Sequence, residues 1–460
     1  MIRMDRPIRF ATIIVFIGLY TALSSANANE CTVFEPPVYY PGDGAGSSGI
    51  CTADFNGDGT VDVAISSRWL DNVIIFSNDG NGNYSEYSET YIGENTTPRY
   101  VVAGDFNGDG HIDAATSNWN AHAGDPDDPN SYDGGSITVL LNDGTGVLSF
   151  HEDHVYLRAS CLDIADLNGD GYLDIIAPHW DPKLGSSGPG IASILKNNGD
   201  GTFIEVANVP IGKLPRGIDV GYLDNDVDVD FAVSNIGDHR LTVVENLGDF
   251  NFIVHNPIPY VDGTKPRYVA IGDVTCDGWN DISVVHKQTD KLLVYENHGN
   301  FNFSSFGTYP TSEDPHSVEV KDINGDCSHD VLVSHVGGNF VYIYENDGEG
   351  LLEKTVLESD HGPAHVISDD VNEDGRPDIL TACVNGGYFN VHISETEQVG
   401  CEPLKCRADL DNSGMVEVMD IIELISQWGT PCGPSDLNRS GVVDVLDIIE
   451  LISVWGSECP

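Results

Sequence analysis

Short apolar runs bounded by acidic or glycine-rich segments recur along most of the chain. Seven of these runs follow a nine-residue acidic segment, clearest in residues 54–62 (DFNGDGTVD), and the segments repeat at intervals of 48 to 61 residues. Runs this short, bounded by turn-forming residues, predict strands joined by acidic loops. The copies begin at Asp54, Asp105, Asp166, Tyr222, Asp273, Asp322 and Asp370.

A second signature, Asn-x-Gly followed by an aromatic residue or leucine, comes after six of the seven acidic segments. Asn and Gly tolerate the positive φ angles of hairpin turns, so each signature predicts a turn between two further strands. Four strands in roughly 40 to 50 residues are typical of a propeller blade, and the predicted fold is an all-β, seven-bladed β-propeller. The turn asparagines are Asn78, Asn142, Asn197, Asn246, Asn297 and Asn346.

The two ends of this repeat region complement each other. The seventh copy lacks its turn and fourth strand, whereas the segment from Thr32 to Tyr40 resembles a fourth strand with no blade before it. We therefore predict that the N-terminal strand completes the last blade. This closure would leave no unpaired sheet edge at the seam of the ring.

Acidic residues outnumber basic residues by 73 to 21, which gives a formal net charge of −52 and argues against nucleic acid as a partner. The excess could be a solvated acidic surface. The carboxylates are, however, concentrated at fixed repeat positions, where their mutual repulsion favours a bound cation. Calcium takes six to eight oxygen ligands from a tight, glycine-containing loop, so the repeats predict calcium sites.

Four copies carry oxygen-bearing side chains at loop positions one, three, five and nine, with the main-chain carbonyl of position seven as a further ligand. These predicted ligands are Asp54, Asn56, Asp58, Asp62, Asp105, Asn107, Asp109, Asp113, Asp166, Asn168, Asp170, Asp174, Asp370, Asn372, Asp374 and Asp378. The fifth and sixth copies keep Asp273, Asp277, Asp281, Asp322, Asn324, Asp326 and Asp330, which makes about six calcium sites in the propeller.

The remaining copies depart from this pattern in two ways. Residues 222–230 have lost the first aspartate and the glycine, so we expect weak calcium binding there or none. Cys276 and Cys327 lie inside corresponding loops of neighbouring blades, and a disulfide between them would depend on the loop separation.

Together, the acidic loops and the four-strand period resemble the FG-GAP/VCBS repeat, found in integrin α-subunit heads and in many secreted bacterial proteins. The resemblance covers about Thr32 to Ser394. It implies a calcium-loop propeller used in adhesion or in glycan or protein binding, and in some members in polysaccharide cleavage. Because function resides in the site rather than in the fold, the resemblance does not choose among these activities.

Residues 1–28 have the layout of a cleavable signal peptide, with arginines followed by an apolar run and a small-residue site at 26–28. The apolar run is too short to span a bilayer comfortably, and no later segment is long enough. We expect a secreted or cell-surface protein, of the bacterial kind that the repeats resemble. The chain has ten cysteines, which fit an oxidising compartment. Residues 29–400 form the predicted propeller domain.

Residues 401–460 contain two copies of a different unit, 27 residues apart. Each copy has a loop of the EF-hand type followed by a short amphipathic helix, and the pair resembles a dockerin domain, which binds cohesin modules. The predicted ligands are Asp409, Asp411, Ser413, Glu417, Asp420, Asp436, Asn438, Ser440, Asp444 and Asp447. The resemblance implies two further calcium ions and a cohesin-like or cell-wall partner.

The tail departs from dockerins just before loop position twelve, where apolar pairs, Val418-Met419 and Val445-Leu446, replace the usual small or polar pairs. This departure weakens the case for cohesin binding but not for the calcium fold. The alternative is a stabilising cap. The spacing of Cys406, Cys432 and Cys459 predicts disulfides within the module, and Cys31 and Cys401 bracket the seam.

Two rows of repeat positions predict a ligand-binding face at the end of the blades opposite the calcium loops. One row lies six residues before each acidic segment and the other five residues after its last aspartate, and antiparallel pairing brings the rows together. Tryptophans and long inserts follow the second row in two blades. The candidate residues are Arg99, Asn118, Trp119, His179, Trp180, Arg216, Asn235, Arg267, His286, His316 and His335.

Arginines suit carboxylate or sulfate groups and tryptophans suit sugar rings, so this face predicts an acidic polysaccharide ligand. Polar positions in a hydrated channel are the alternative that needs no ligand. A lyase, with His179 or His286 as base and Arg216 or Arg267 beside a uronate carboxylate, is the enzymatic alternative. No serine-hydrolase elbow or phosphate loop is present. The preferred interpretation is a glycan- or protein-binding module.

Overall fold

The computed structural model describes residues 34–41, 46–120, 135–155, 159–180, 188–255, 258–259, 265–325, 328–346, 351–359, 361–386 and 388–394, together with 421, 424 and 425. Within this part of the chain, 29 strands form seven sheets. The sheets follow the sequence repeats one by one. The predicted all-β, seven-bladed propeller is therefore confirmed.

The strands are numbered in chain order. The first fourteen are β1 (Val38–Pro41), β2 (Ser47–Ala53), β3 (Asp62–Ser67), β4 (Asn72–Asn78), β5 (Tyr84–Tyr91), β6 (Pro98–Gly104), β7 (Asp113–Asn118), β8 (Ser136–Asn142), β9 (Leu148–Val155), β10 (Asp163–Ala165), β11 (Asp174–Trp180), β12 (Gly190–Asn197), β13 (Phe203–Ile211) and β14 (Pro215–Gly221). The remaining strands are β15 (Asp230–Asn235), β16 (Arg240–Asn246), β17 (Phe252–Val254), β18 (Ile258–Pro259), β19 (Pro266–Gly272), β20 (Asp281–His286), β21 (Lys291–Asn297), β22 (Phe303–Pro310), β23 (Pro315–Lys321), β24 (Asp330–His335), β25 (Phe340–Asn346), β26 (Leu351–Glu358), β27 (Pro363–Asp369), β28 (Asp378–Cys383) and β29 (Tyr388–His392).

Each blade is an antiparallel sheet in sequence order. Blade 1 is β2 to β5, blade 2 is β6 to β9, blade 3 is β10 to β13, blade 4 is β14 to β18, blade 5 is β19 to β22 and blade 6 is β23 to β26. First strands of neighbouring blades contact one another, so they surround the central axis. Each acidic segment joins the first strand to the second, and each Asn-x-Gly turn joins the third to the fourth.

The hydrophobic core consists of layers between adjacent blades. Seven clusters of buried side chains each combine residues from two neighbouring blades. The second strand of a blade has neighbouring sheets on both faces, and in β3 and β7 every residue is buried. Such strands are apolar on both faces, which explains the continuous apolar runs in the sequence.

The N-terminal strand closes the ring. In blade 7 the strand order is β1-β29-β28-β27, and Val38 pairs with Val391 in antiparallel register. Tyr40 stacks on Phe389 with 4.8 Å between the ring centroids, and its hydroxyl donates to the carbonyl of Gly82 in blade 1 at 3.1 Å. The predicted completion of the last blade by the N-terminal segment is confirmed.

Most of the predicted flanking segments lie outside the described residues. These segments are the signal peptide at residues 1–28 and nearly all of the tail at 401–460. In the tail only Ile421, Leu424 and Ile425 are described, and all three are helical. The dockerin-like module stays a prediction. In the described part of the chain, no helix is both long and apolar enough to cross a membrane.

Candidate functional site

The acidic loops share one arrangement around their ninth residue. In blade 1 the carboxylate of Asp62 is fully buried, and its Oδ2 accepts from the main-chain N–H of Phe55 at 3.1 Å. Its Oδ1 accepts from the N–H of the turn residue Asn78 at 3.0 Å. The carboxylates at the equivalent positions are Asp113, Asp174, Asp230, Asp281, Asp330 and Asp378. Each acidic loop is thus anchored to the Asn-x-Gly turn or its equivalent.

The first residue of a loop holds the turn in shape. Asp54 accepts from the N–H of Gly57 at 2.7 Å and from that of Gly59 at 2.9 Å. Both glycines are left-handed, with φ of 73° and 91°, a conformation that costs glycine little. Cys276, with φ of 54°, occupies position four of the fifth loop at some conformational cost.

The donor set of these loops fits calcium. Positions one, three, five and nine supply carboxylate or amide oxygens, and the left-handed turn brings alternate positions to one side. Burial raises the pKa of Asp62 and of Asp113 to about 6, an unfavourable state for a carboxylate that a bound cation would relieve. Among the described residues, no three His, Cys, Asp or Glu side chains already surround one point. The calcium sites stay a prediction.

The fourth loop differs in geometry as well as in sequence. Within residues 222–230, which are all described, no residue has the left-handed φ found in the other loops. Asp224 and Asp226 accept hydrogen bonds from N–H groups two residues further on, at 2.9 Å each. The equivalent Asn56 and Asp58 of the first loop also accept such bonds. This copy therefore lacks the left-handed turn of the other loops, and weak calcium binding or none stays a prediction.

The turn asparagines have a role that the sequence did not reveal. Asn142 Nδ2 donates to the carbonyl of Phe55 in blade 1 at 2.6 Å and to that of Ile112 in its own blade at 2.9 Å. The equivalent bonds to the preceding blade are made by Asn78, Asn197, Asn246, Asn297 and Asn346. These amides therefore connect neighbouring blades through main-chain carbonyls.

At the opposite end of the blades, the first strand carries a β-bulge. The pairing register shifts between Pro98 and Tyr100 in β6 and between Pro215 and Gly217 in β14, so Arg99 and Arg216 are the extra residues. A bulge re-aims the side chain of the extra residue. The repeated bulge thus explains why the row of residues six positions before each acidic segment supplies arginines to the axis.

The arginines gather around Trp119, which follows β7. The Arg99 guanidinium carbon lies 3.8 Å from the centroid of the Trp119 ring, and that of Arg216 lies 5.6 Å away. Trp180 packs edge-on against Trp119, with 5.1 Å between their centroids. Stacking of a guanidinium on an indole holds both groups in fixed orientation. The structure brings together four of the predicted face residues.

Two more arginines, Arg267 of β19 and Arg68 of the β3–β4 turn, lie close enough to Arg99 for their charges to interact with it. Arg68 was not among the predicted residues. It lies outside both repeat rows, and the only sequence signal for it was its position directly before Trp69. We call Arg68, Arg99, Arg216 and Arg267 the arginine mouth. Burial and the neighbouring charge of Arg216 lower the pKa of Arg99 to about 9, so it remains a cation at neutral pH.

These guanidiniums have few partners. The Nε–H groups of Arg68, Arg99 and Arg267 are buried and donate to no hydrogen-bond acceptor among the described residues. Arg267 lies 3.7 Å from Asp314, a carboxylate that it shares with Lys287 at 2.7 Å. In the part of the chain that is described, no carboxylate forms an ion pair with the other three arginines. The arginine mouth has unmet capacity for an anion.

The second row of predicted face residues lies elsewhere. Asn118, Asn235, His286 and His335 are fully buried inside their blades, and His179 is nearly so. These residues end second strands, which have sheets packed on both faces, and some of their polar atoms bond within the blade. Asn118, for example, donates to Ser136 Oγ at 3.0 Å. The expectation that this row faces a ligand is therefore corrected, and its role is structural.

Next to the arginine mouth, four rings meet at the axis. Tyr100 stacks against Tyr268 with 6.2 Å between centroids, and Tyr268 lies 5.4 Å from His316. The Tyr100 hydroxyl is 3.1 Å from His365 Nε2. Burial lowers the pKa of His365 to about 4 and that of His316 well below its usual value, so both are neutral imidazoles. We call these four residues the ring plug.

Two of the described cysteines, Cys51 and Cys161, are free thiols. Burial raises the pKa of each thiol to about 12, which makes them poor nucleophiles. Cys327 and the cysteines of the two termini lie outside the described residues. The disulfides predicted for Cys276 with Cys327, for the seam and for the tail stay predictions.

Comparisons with known proteins agree with this architecture. A family model described as FG-GAP-like repeat matches residues 54–116, 273–333 and 322–381. No curated protein sequence matches the chain. The chain thus carries FG-GAP-like repeats arranged as a seven-bladed β-propeller, a module often used in binding or adhesion.

Three solved structures are similar to this chain to different degrees. Two are crystal structures of BBS1N in complex with ARL6DN, soaked with mercury and with lead. The first is 16% identical with a TM-score of 0.54, covering 79% of this chain and 97% of that one. The second is 15% identical with a TM-score of 0.56, covering 80% and 98%. A protein from Lactobacillus plantarum is 11% identical with a TM-score of 0.47, covering 73% and 87%. At such identities the first two show the shared fold alone.

Proposed function

We propose that this chain is an extracellular binding module whose arginine mouth binds an acidic glycan. In this proposal calcium stabilises the propeller through its acidic loops. The signal peptide exports the protein, and the dockerin-like tail attaches it to a cell surface or a complex. The arginine mouth is the observation that carries the proposal.

The arginine mouth is unusual because the rest of the chain is strongly acidic. The whole chain has 21 basic residues against 73 acidic ones, yet four arginines converge at one end of the axis. Three of them have a buried Nε without a hydrogen-bond partner in the described residues. Buried donors without partners cost free energy, and an anion with several oxygens would satisfy them. Uronate carboxylates and sugar sulfates are such anions.

Tryptophans on three consecutive blades suit the sugar part of the ligand. Trp69 and Trp119 follow the second strands of blades 1 and 2, and Trp180 ends that of blade 3, at the same end as the arginines. Trp69 has 65% of its surface exposed, which is much for so large an apolar side chain. Exposed indoles offer apolar faces to the C–H groups of a sugar ring. A protein ligand with acidic side chains is the alternative for the same mouth.

The calcium ions are assigned to the same oxygen ligands as in the sequence prediction. In blade 2 these ligands are Asp105, Asn107, Asp109 and Asp113. In every other loop except the fourth, the ligands are the residues predicted from the sequence. When bound, calcium supplies positive charge that neutralises clustered carboxylates. The chain itself contributes the left-handed turns and the anchored ninth carboxylate. We expect about six ions in the propeller and two in the tail.

The structure gives less support to the alternative of a polysaccharide lyase. Of its two candidate bases, His286 is fully buried, and His179 Nε2 is bonded to Ser193 Oγ at 2.9 Å. His365 belongs to the ring plug, and its Nδ1 accepts from the N–H of Ile50 at 3.2 Å. The Nε2 therefore carries the proton and donates to Tyr100, so neither nitrogen is ready to remove one.

Binding and cleavage are tested together. The mature protein is incubated in calcium with heparin, polygalacturonate and neutral dextran, and affinity and chain length are both measured. We expect salt-sensitive binding to at least one acidic chain, no binding to dextran and no shortening. Arg216→Ala should weaken binding about tenfold or more, since a charged hydrogen bond is lost. The control is Arg240→Ala, an exposed cation of β16 outside the mouth. Shortened chains would instead identify an enzyme. An affinity that is unchanged in Arg216→Ala would place the ligand elsewhere.

A further inference from the structure

The ring plug closes the central axis beneath the arginine mouth. Tyr100 belongs to blade 2 and Tyr268 to blade 5, three places apart in a ring of seven, so their stacking at 6.2 Å crosses the axis. His365 of blade 7 lies 4.6 Å from Tyr100 and 6.5 Å from Tyr268, between ring centroids. Rings this close leave no passage for a sugar chain.

Hydrogen bonds hold the plug in place. The Tyr100 hydroxyl bonds to His365 Nε2 at 3.1 Å, and the N–H of Ile50 donates to the other nitrogen of that imidazole at 3.2 Å. His316 Nδ1 donates to the carbonyl of Ala364 at 2.6 Å. Side chains and main chain from four blades thus fix the rings, and a ligand would have to break several buried bonds to displace them.

The register of the first strands places guanidiniums on one side of the plug and carboxyl groups on the other. Arg99 and Arg267 directly precede Tyr100 and Tyr268, on the side away from the acidic loops. Asp163, Asp219 and Glu319 each lie three residues before an acidic segment, on the loop side. Burial raises the pKa of Asp163 and Glu319 to about 7. An anion entering from the loop side would meet these carboxyl groups rather than guanidiniums, so the arginine side is the favourable entrance.

The arginines themselves are recessed. The side chain of Arg267 is only 12% exposed, and the Nε atoms of Arg68, Arg99 and Arg267 are buried. The carboxylate of a sugar inside a polymer lies next to its ring, with further sugars on both sides. A chain lying across the mouth would hold its carboxylates above these donors. A terminal residue has a neighbour on one side only and can enter the recess.

We propose that the arginine mouth is a closed pocket for the anionic terminal residue of a glycan, so that the protein recognises chain ends rather than chain interiors. This inference rests on the proposed function. The second and third sugars of the chain lie outside the pocket and pack against the exposed indole of Trp69. The pocket and the indole are then separate subsites with separate contributions to affinity.

Stoichiometry tests the inference directly. Oligogalacturonates and heparin fragments of several defined lengths, from about four to about forty sugars, are titrated calorimetrically into the mature protein with calcium. End recognition predicts a fixed number of protein molecules per chain, whatever its length. A number that grows in proportion to chain length would overturn end recognition while leaving acidic-glycan binding intact. Absence of binding to every acidic chain would overturn the proposed function itself.

Two variants separate the subsites. Arg68→Ala should lower the affinity for galacturonic acid and for the oligomers alike, about tenfold, because both use the pocket. Trp69→Ala should weaken only the oligomers, about fivefold to tenfold, because the monosaccharide does not reach the indole. The control is Tyr222→Ala, a 52% exposed aromatic side chain on the loop side. Equal effects of Arg68→Ala and Trp69→Ala on monosaccharide and oligomer would contradict the arrangement.

Discussion

Asn142 of blade 2 and Phe55 of blade 1 are joined by a hydrogen bond of 2.6 Å from the asparagine amide to the phenylalanine carbonyl. The same amide reaches Ile112 in its own blade, and its main-chain N–H donates to the buried Asp113. One asparagine therefore connects its hairpin turn, its acidic loop and the neighbouring blade. The repeat signature Asn-x-Gly therefore has two roles: it forms a hairpin turn, and its asparagine links neighbouring blades.

Replacing this asparagine should destabilise the propeller. Asn142→Ala leaves two buried carbonyls without donors, and we expect a loss of about 1–3 kcal/mol in the free energy of unfolding. Urea denaturation with calcium held constant measures the loss. Asn81→Ala is the control, because Asn81 is exposed and its amide bonds only within its own turn. Equal stability of the two variants would show that the bond to Phe55 contributes nothing.

Chelation should lower the melting temperature of the mature protein, since a ligand that binds only the folded state stabilises it. Asp105→Asn should remove one bound calcium ion per molecule and part of the calcium-dependent gain in melting temperature. Asp224→Asn, in the fourth loop without left-handed turns, should change neither quantity. Atomic emission gives the stoichiometry and scanning calorimetry the melting temperature. Unchanged calcium content in Asp105→Asn would refute the assignment of the second loop.

The closing strand should be essential for stability. Tyr40 is 9% exposed and packs against Phe389 and Tyr84, so Tyr40→Ala should cost about 3–5 kcal/mol through the cavity it leaves. Tyr40→Phe should cost only about 1 kcal/mol, the value of its hydroxyl bond to Gly82. Val38→Ala, on the same strand but 40% exposed, is the control. A mild effect of Tyr40→Ala would mean that β1 is dispensable.

The carboxylates on the loop side of the plug predict a pH dependence. Burial and the neighbouring Asp163 raise the pKa of Asp219 well above its usual value, and burial raises that of Asp163 to about 7. Between pH about 4, where unfolded aspartates titrate, and pH about 7, the folded state binds more protons than the unfolded state. The contribution of these two carboxyl groups to the stability of the folded state must therefore fall as pH rises through this window.

Asp219→Asn should reduce that fall. At pH 8 the variant should melt above the parent protein, and at pH 5 the two should be similar, because the parent carboxyl is then protonated. The asparagine oxygen can still accept from the N–H of Ile271, as Asp219 does at 2.6 Å. Glu86→Gln, an exposed change on β5, is the control and should alter neither temperature. A uniform shift of Asp219→Asn at both pH values would argue against titration of this site.

The sequence predicted the fold well because the repeat restates it seven times. The acidic loop fixes where the first strand ends and the second begins, and the turn asparagine does the same for the third and fourth. The incomplete last copy and the orphan strand before the first predicted the closure. Each of these inferences depends on local pattern, which a repeat architecture preserves.

The face was predicted only in part because it depends on side-chain direction. The bulge that re-aims Arg99 and Arg216 leaves no mark in a single repeat. Arg68 comes from a turn in blade 1 and fell outside both rows of positions. His286 and His335 were expected at the face, yet packing of sheets on both sides of β20 and β24 buries them. Spacing located the right end of the blades but not the direction of each side chain.

One junction of the ring lacks the connecting amide. Blade 7 has Ser394 where the other blades have the turn asparagine, and its N–H and hydroxyl bond to Asp378. In the described part of the chain, the carbonyl of Ile323 in blade 6 therefore receives no bond like that made to Phe55. Local thermal opening should begin between blades 6 and 7. Main-chain amides at this junction should therefore exchange with deuterium before those at the other junctions. The ring should then open at this one junction rather than uniformly around its circumference.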